Sequence, residues 1–265
     1  MSMALPQAKK ALGQHFLVDG HYVGRIIAAI RPQPADRMVE IGPGPGALTR
    51  PLLETLGHLD VVELDRDMVA RLEAEFPPER LTLHRADALH FPFGDLGTDL
   101  RVVGNLPYNI SSPLLFHLAE HARCIRDMVF MLQKEVVDRM AAAPATPDYG
   151  RLSVMLQARF RVEKLFTVPP GAFRPPPKVD SAIVRLIPLP GEAVPYRDHT
   201  QFAEVVARAF GQRRKTLRNT LRGLVDEALF EKLAIDPGRR GETLSVAEFA
   251  ALANCLAEDR AGTAG

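Results

Sequence analysis

Short runs of β-branched and aliphatic residues alternate with helical patterns through the first two-thirds of the chain, and this alternation restricts the fold more than any other feature. Residues 37–41, 59–63, 81–85, 100–103 and 127–132 read as strands, with helical spacing over 48–56, 68–76 and 113–121 between them. Such a succession predicts an α/β fold, a mostly parallel sheet covered by helices on both faces. Two more strand-like runs, 160–168 and 182–189, lack a crossover helix between them, which predicts a closing antiparallel pair. A Pro/Gly-punctuated stretch over 188–195 reads as a linker. Beyond it only helical spacing remains, as in Phe202, Val205, Val206, Ala209 and Phe210. The expected division is a catalytic domain over 1–190 and a small helical domain over 191–265.

Composition narrows the class. Of 265 residues, 46% are apolar and 25% charged, so the chain is neither disordered nor low-complexity. No apolar run approaches the ~18 residues of a membrane span. The first ten residues lack the apolar core of a signal peptide. Two cysteines, Cys124 and Cys255, cannot frame a disulfide scaffold, and a cytoplasmic location is expected. The 33 basic and 32 acidic residues nearly cancel, so any nucleic-acid binding must come from a local, salt-sensitive patch.

The segment Glu40-Ile41-Gly42-Pro43-Gly44-Pro45-Gly46 follows the first of the sheet strands and precedes a helix. Gly42, Gly44 and Gly46 permit a tight turn and close approach of a ligand to the backbone. The loop alone also satisfies a dinucleotide fingerprint, with Glu63 spaced to hold a ribose diol. Its acidic surroundings discriminate: Glu40, Glu63, Asp65, Asp67 and Asp87 would repel a pyrophosphate but tolerate a cationic sulfonium. The set favours S-adenosylmethionine over NAD, with Asp87 placed to accept an adenine amino group or to cap a helix.

After the 100–103 strand comes Gly104-Asn105-Leu106-Pro107-Tyr108. An exocyclic adenine amine is a poor nucleophile because its lone pair is conjugated into the ring. The Asn105 side-chain oxygen and the Leu106 or Pro107 carbonyl can accept both amino hydrogens and draw the nitrogen towards a tetrahedral geometry. Tyr108 can stack on the base.

These residues resemble the target-base motif of the rRNA adenine N6-dimethyltransferases, the family that contains the KsgA/RsmA and Erm groups. Leu12-Gly13-Gln14-His15-Phe16-Leu17, the glycine loop, Phe173-Arg174-Pro175-Pro176-Pro177-Lys178-Val179-Asp180-Ser181 and Ala209-Phe210-Gly211-Gln212-Arg213-Arg214-Lys215-Thr216-Leu217 match it in order, over about 9–256. The resemblance implies a class I, Rossmann-like S-adenosylmethionine-dependent methyltransferase fold with a seven-stranded sheet and a helical C-terminal domain. It implies that His15, Leu17, Gly42, Glu63, Asp87, Ala88 and Asn105 meet the cofactor, and that Phe173 forms the second face of a stack with Tyr108. His15 stands where many relatives carry Asn. The implied reaction is N6,N6-dimethylation of two adjacent adenines in the 3′-terminal hairpin loop of 16S rRNA, within the small ribosomal subunit or its precursor, by a monomer. The alternatives are an Erm-type 23S rRNA enzyme and a non-catalytic assembly or transcription factor on the same fold.

Arg213, Arg214, Lys215, Arg218 and Arg222 form a basic run, and on a continuous helix 214, 218 and 222 would share one RNA-facing side above a Leu217–Leu221–Leu224 stripe. Lys9 and Lys10 are expected to add to that surface. His117 and His121 have metal-pair spacing but no third ligand, and read as surface histidines, so no metal is expected. Cys124 reads as a core residue rather than a nucleophile.

Overall fold

The computed structural model describes Pro6, Ala8, Lys9 and residues 13–263, so Lys10 and Leu12 lie outside the described residues. In chain order the elements are β1 (Phe16–Leu17), α1 (Gly20–Ile30), β2 (Arg37–Ile41), α2 (Thr49–Thr55), β3 (Leu59–Val62), α3 (Arg66–Glu75), β4 (Leu81–His84), β5 (Leu100–Asn105), α4 (Ser111–Glu120) and β6 (Ile125–Gln133). Then follow α5 (Lys134–Ala141), α6 (Arg151–Gln157), β7 (Phe160–Val168), β8 (Phe173–Arg174), β9 (Ser181–Pro188), α7 (His199–Gly211), α8 (Leu217–Thr220), α9 (Glu227–Lys232) and α10 (Val246–Thr263).

The described residues form a seven-stranded sheet in the order β4-β3-β2-β5-β6-β9-β7. Strands β4, β3, β2, β5 and β6 run parallel, and β9 closes antiparallel on β6. The central strands are apolar on both faces: Met38, Val39 and Ile41 of β2 and Val102 and Val103 of β5 are all buried, as a helix-covered parallel sheet requires. Short side chains start the helices. Asp19 accepts the His21 N–H at 2.9 Å, and Asp65 accepts that of Asp67 at 3.0 Å. A separate two-stranded ribbon pairs β1 with β8 antiparallel, setting Leu17 opposite Phe173. The ribbon joins the N-terminal segment to the proline-rich segment.

The chain divides into two compact units: residues up to Val137 with Glu163–Pro188, and Asp138–Val162 with Leu189 onward. The second unit therefore contains a stretch that sequence reasoning assigned to the first. The reason is apolar packing. Tyr149, Val154, Met155 and Ala158 are buried in one cluster with Phe202, Val205, Leu217 and Phe249. The Tyr149 hydroxyl donates to the Leu244 carbonyl at 2.8 Å, and Gln157 donates to the Met140 and Ala142 carbonyls.

No helix among the described residues is long and apolar enough to cross a membrane.

Candidate active site

Four adjacent parallel strands deliver the chemistry. Glu40 lies in β2, Glu63 just beyond β3, Asp87 beyond β4 and Asn105 at the end of β5, so their carboxyl ends meet at one rim. There a cavity of about 290 Å³ opens, walled by Gly42, Gly44, Glu63, Asp87, Ala88 and the whole Asn105–Tyr108 loop, with His15 and Leu17 from the N-terminal segment.

Two glycines keep the backbone close. Gly42 (φ +65°) and Gly44 (φ +52°) adopt left-handed conformations, and a Cβ on Gly44 would come within 3.3 Å of the Phe16 ring. Gly46 (φ +87°) plays another part. It is absent from the cavity wall, and a Cβ there would meet Arg50 and Leu72 at 3.3 Å. Its left-handed turn and close packing by themselves require a glycine, and the cavity wall adds no support to the cofactor role expected of it.

The carboxylates differ in charge state. Glu40 is fully buried and accepts the Thr49 hydroxyl at 2.7 Å. Burial pushes its carboxyl up to about 7, with the Thr49 bond opposing and the neighbouring Glu63 charge adding to the rise. Burial also raises Glu63, against backbone N–H donors from Asp65 and Gly44. Asp87 accepts the Leu89 N–H at 3.0 Å through Oδ1. Asp65 is engaged within the chain. It caps α3 and accepts Lys9 Nζ at 2.6 Å and Gln14 Nε2 at 2.8 Å; although burial opposes ionisation, these donors hold its carboxyl below the usual range. Lys9 also pairs with Asp67 at 2.5 Å. The lysine expected to face RNA is thus tied to the β3–α3 loop.

Asn105 is oriented by the N-terminal segment: its Nδ2 donates to the His15 carbonyl at 3.0 Å, leaving Oδ1 as the acceptor. The loop that follows separates the two carbonyls left open by sequence. Pro107 O accepts the Ile110 N–H at 3.3 Å, whereas no donor among the described residues engages Leu106 O. Leu106 itself is pinned by its N–H to Met131 O at 3.1 Å. The Tyr108 hydroxyl lies 2.6 Å from Ser181 Oγ, and its ring stacks on His15 with centroids 5.7 Å apart. Burial raises the Tyr108 phenol above its ordinary value, against the Ser181 bond, so it stays neutral at physiological pH.

Phe173 does not join this group. Paired opposite Leu17, it is fully buried in the core with Val168 and Ile183 and does not line the cavity. The ring stacked on Tyr108 is His15. Sequence reasoning also missed Leu64, a leucine 57% exposed at the cavity wall beside Glu63. An apolar residue directly after a strand-end acid was the available signal.

The basic run is not one helix. Residues 212–215 form a turn after α7, Arg218 sits in the short α8, and Arg222 follows in another turn. The Leu217 and Arg218 N–H groups bond to Arg239 O and Pro237 O, which interrupts helical bonding. Arg213 pairs with Glu242 at 3.0 Å and Arg218 with Glu227 at 2.8 Å. Arg214, Lys215 and Arg222 are exposed, with no ion-pair partner among the described residues. Leu217 and Leu221 are buried beneath the run. His117 meets His121 edge-to-face at 4.9 Å and lies 2.8 Å from the Phe91 carbonyl, and Cys124 Sγ donates to His121 O. Among the described residues no group of three or more His, Cys, Asp or Glu is arranged to hold a metal ion.

The family model for ribosomal RNA adenine dimethylases matches residues 6–258. The chain belongs to this family. Among curated dimethylase-family relatives, the small subunit methyltransferase A of Aromatoleum aromaticum is 62% identical over 255 residues, covering 96% of each chain. That of Thiobacillus denitrificans is 64% identical, over 94% of this chain and 98% of the relative. Among solved structures, a dimethyladenosine transferase from Plasmodium falciparum superposes with a TM-score of 0.80 at 27% identity, covering 94% of this chain and 98% of that one. The 23S rRNA methyltransferase ErmE gives 0.68 at 26% identity, covering 91% and 99%. The α/β core is that of the S-adenosylmethionine-dependent methyltransferases.

Proposed function

We propose that this chain methylates N6 of two adjacent adenines in the 3′-terminal hairpin loop of 16S rRNA, twice each, during assembly of the small ribosomal subunit. The observation that carries the reading is Asn105, which lines the cavity with its amide held through Nδ2 so that Oδ1 remains an acceptor, next in the chain to Leu106 and its unengaged carbonyl. Two acceptors there match the two hydrogens of an adenine amine, and Tyr108 offers a stacking face.

S-adenosylmethionine would lie against the glycine loop that lines the same cavity, and when bound it supplies an electrophilic methyl group. Gly42 and Gly44 leave room for it against the backbone, Glu63 would take the ribose hydroxyls, and Leu64 and Ala88 would flank the adenine, with Asp87 at its amino group. A positive charge in the cavity would favour ionised Glu40. Asn105 and Leu106 hold the target amine pyramidal, and the proton released after alkylation needs no strong base, because the alkylated amine is acidic. Arg214, Lys215 and Arg222 would contact RNA phosphates.

The 54–64% identity to relatives named for the small subunit supports 16S over 23S rRNA. Mass mapping of methylated adenines in both rRNAs, after incubation with the protein and S-adenosylmethionine, tests this. Dimethyladenosine in the 16S 3′ hairpin is expected. Modification confined to 23S rRNA, or none in either, would overturn it.

A further inference from the structure

Ser181 is fully buried at the first position of β9, opposite Gln133 of β6. The preceding residue is pinned as well, since Asp180 O accepts the Lys134 N–H at 2.9 Å. The sheet thus fixes the serine backbone, and its hydroxyl is only one side-chain torsion away. Tyr108, by contrast, sits in a loop before α4, closed by backbone bonds and by the Ser111 hydroxyl donating to Tyr108 O at 3.0 Å. Those bonds fix its backbone but leave the ring free to turn about its side-chain torsions. Two contacts remove that freedom. Ser181 Oγ holds the hydroxyl at 2.6 Å, and the His15 ring backs one face with an interplanar angle of 26°. His15 is itself held, with Nδ1 2.9 Å from Pro175 O.

We propose that Ser181 is a positioning residue for methyl transfer: through the Tyr108 hydroxyl it sets the plane against which the target base stacks. This rests on the reading of Tyr108 as the base-stacking residue. A base stacked on a tilting ring presents its amine off the line of transfer, and small misplacements of reacting atoms are costly in rate. The demand arises twice per adenine, because the base must re-seat after the first methyl is added.

The test is a double-mutant cycle in the full-length protein, with Ser181→Ala, Tyr108→Phe and their combination. Single-turnover rates to mono- and dimethyl products are read on unmethylated small-subunit particles. Each single variant removes the same hydrogen bond from one side, and a loss of roughly three- to tenfold is expected for each. The double variant is expected to lose no more than either single one. S-adenosylmethionine affinity should stay at its wild-type value and the melting temperature should fall by no more than the few degrees that one lost hydrogen bond costs, which a general structural defect would exceed. A wild-type rate for Ser181→Ala, or losses that multiply in the double variant, would overturn the proposal. Tyr108→Ala separates the two levels of the argument: near-normal transfer by that variant would refute the stacking reading itself.

Discussion

The side-chain amide of Asn105 donates to the backbone carbonyl of His15, ninety residues earlier in the chain, at 3.0 Å. Because the acceptor is backbone, the identity of residue 15 does not decide which way the amide points. His15→Asn leaves that carbonyl in place and removes only the ring that backs Tyr108, so it should cost methyl transfer no more than about tenfold, as loss of the Ser181 contact does. Asn105→Ala removes the acceptor itself and should cost on the order of 10²–10³ in single-turnover rate, by analogy with losing one oxyanion-hole donor. Comparable losses in the two variants would contradict this orientation of the amide.

Glu63→Ala should weaken S-adenosylmethionine binding by about ten- to a hundred-fold, since a hydrogen bond to a buried charged group contributes ~1.5–3 kcal/mol. Titration calorimetry on the RNA-free protein measures it. Unchanged affinity would remove Glu63 from the ribose site.

Glu40 gives the protein a pH signature. Its carboxyl, ordinarily at 4.5, is raised to about 7 by burial. Below about pH 4.5 it is protonated in both folded and unfolded chains and costs nothing. As the pH rises through the folded value, the native state must hold a buried carboxylate, and stability is lost; the full span corresponds to roughly 3 kcal/mol. Glu40→Gln should flatten the stability curve of the ligand-free protein between about pH 5 and 8, measured by urea unfolding. An unaltered slope would assign the dependence elsewhere.

RNA binding should depend unevenly on the basic run. Arg213 and Arg218 already face Glu242 and Glu227, so Arg214, Lys215 and Arg222 are expected to carry most of the phosphate contacts. Replacing those three with Ala should lower the salt slope of binding by up to ~3 contacts and leave cofactor affinity intact. If the Arg213/Arg218 double variant loses as much slope, the ion pairs do not restrain those arginines.

Gly104 is a packing site. A Cβ there would collide with the Ile41 carbonyl oxygen, a backbone atom of the neighbouring strand that cannot step aside. Gly104→Ala should destabilise the fold by about 1–3 kcal/mol or more, as overpacking does, and a chemical denaturation midpoint at wild type would contradict it.

The parallel strands were legible in the sequence because their β-branched runs are local, and so was the placement of Asn105–Tyr108 at a strand end. What escaped depends on partners remote in sequence. Phe173 looked like a stacking ring until its pairing with Leu17 placed it in the core. Asp65 looked like part of an acidic rim, but Lys9 and Gln14 reach it from more than fifty residues away. Helical periodicity was present from Arg214 to Arg222, yet the carbonyls of Pro237 and Arg239 capture the N–H groups that would have continued the helix.

The helical unit is stitched from two stretches of chain, and that bears on the order in which it can be completed during synthesis. Tyr149, Val154 and Met155 leave the ribosome before Phe202, Leu217 and Phe249, the residues that bury them. Until the last helix is made, those apolar side chains have only part of their packing, although the strands through β9 are already available to pair. A chain cut at the linker after Pro188 is therefore no clean excision of a domain. It leaves a helical insertion with its oily face open to water, the kind of surface that chaperones hold and that aggregates when they do not.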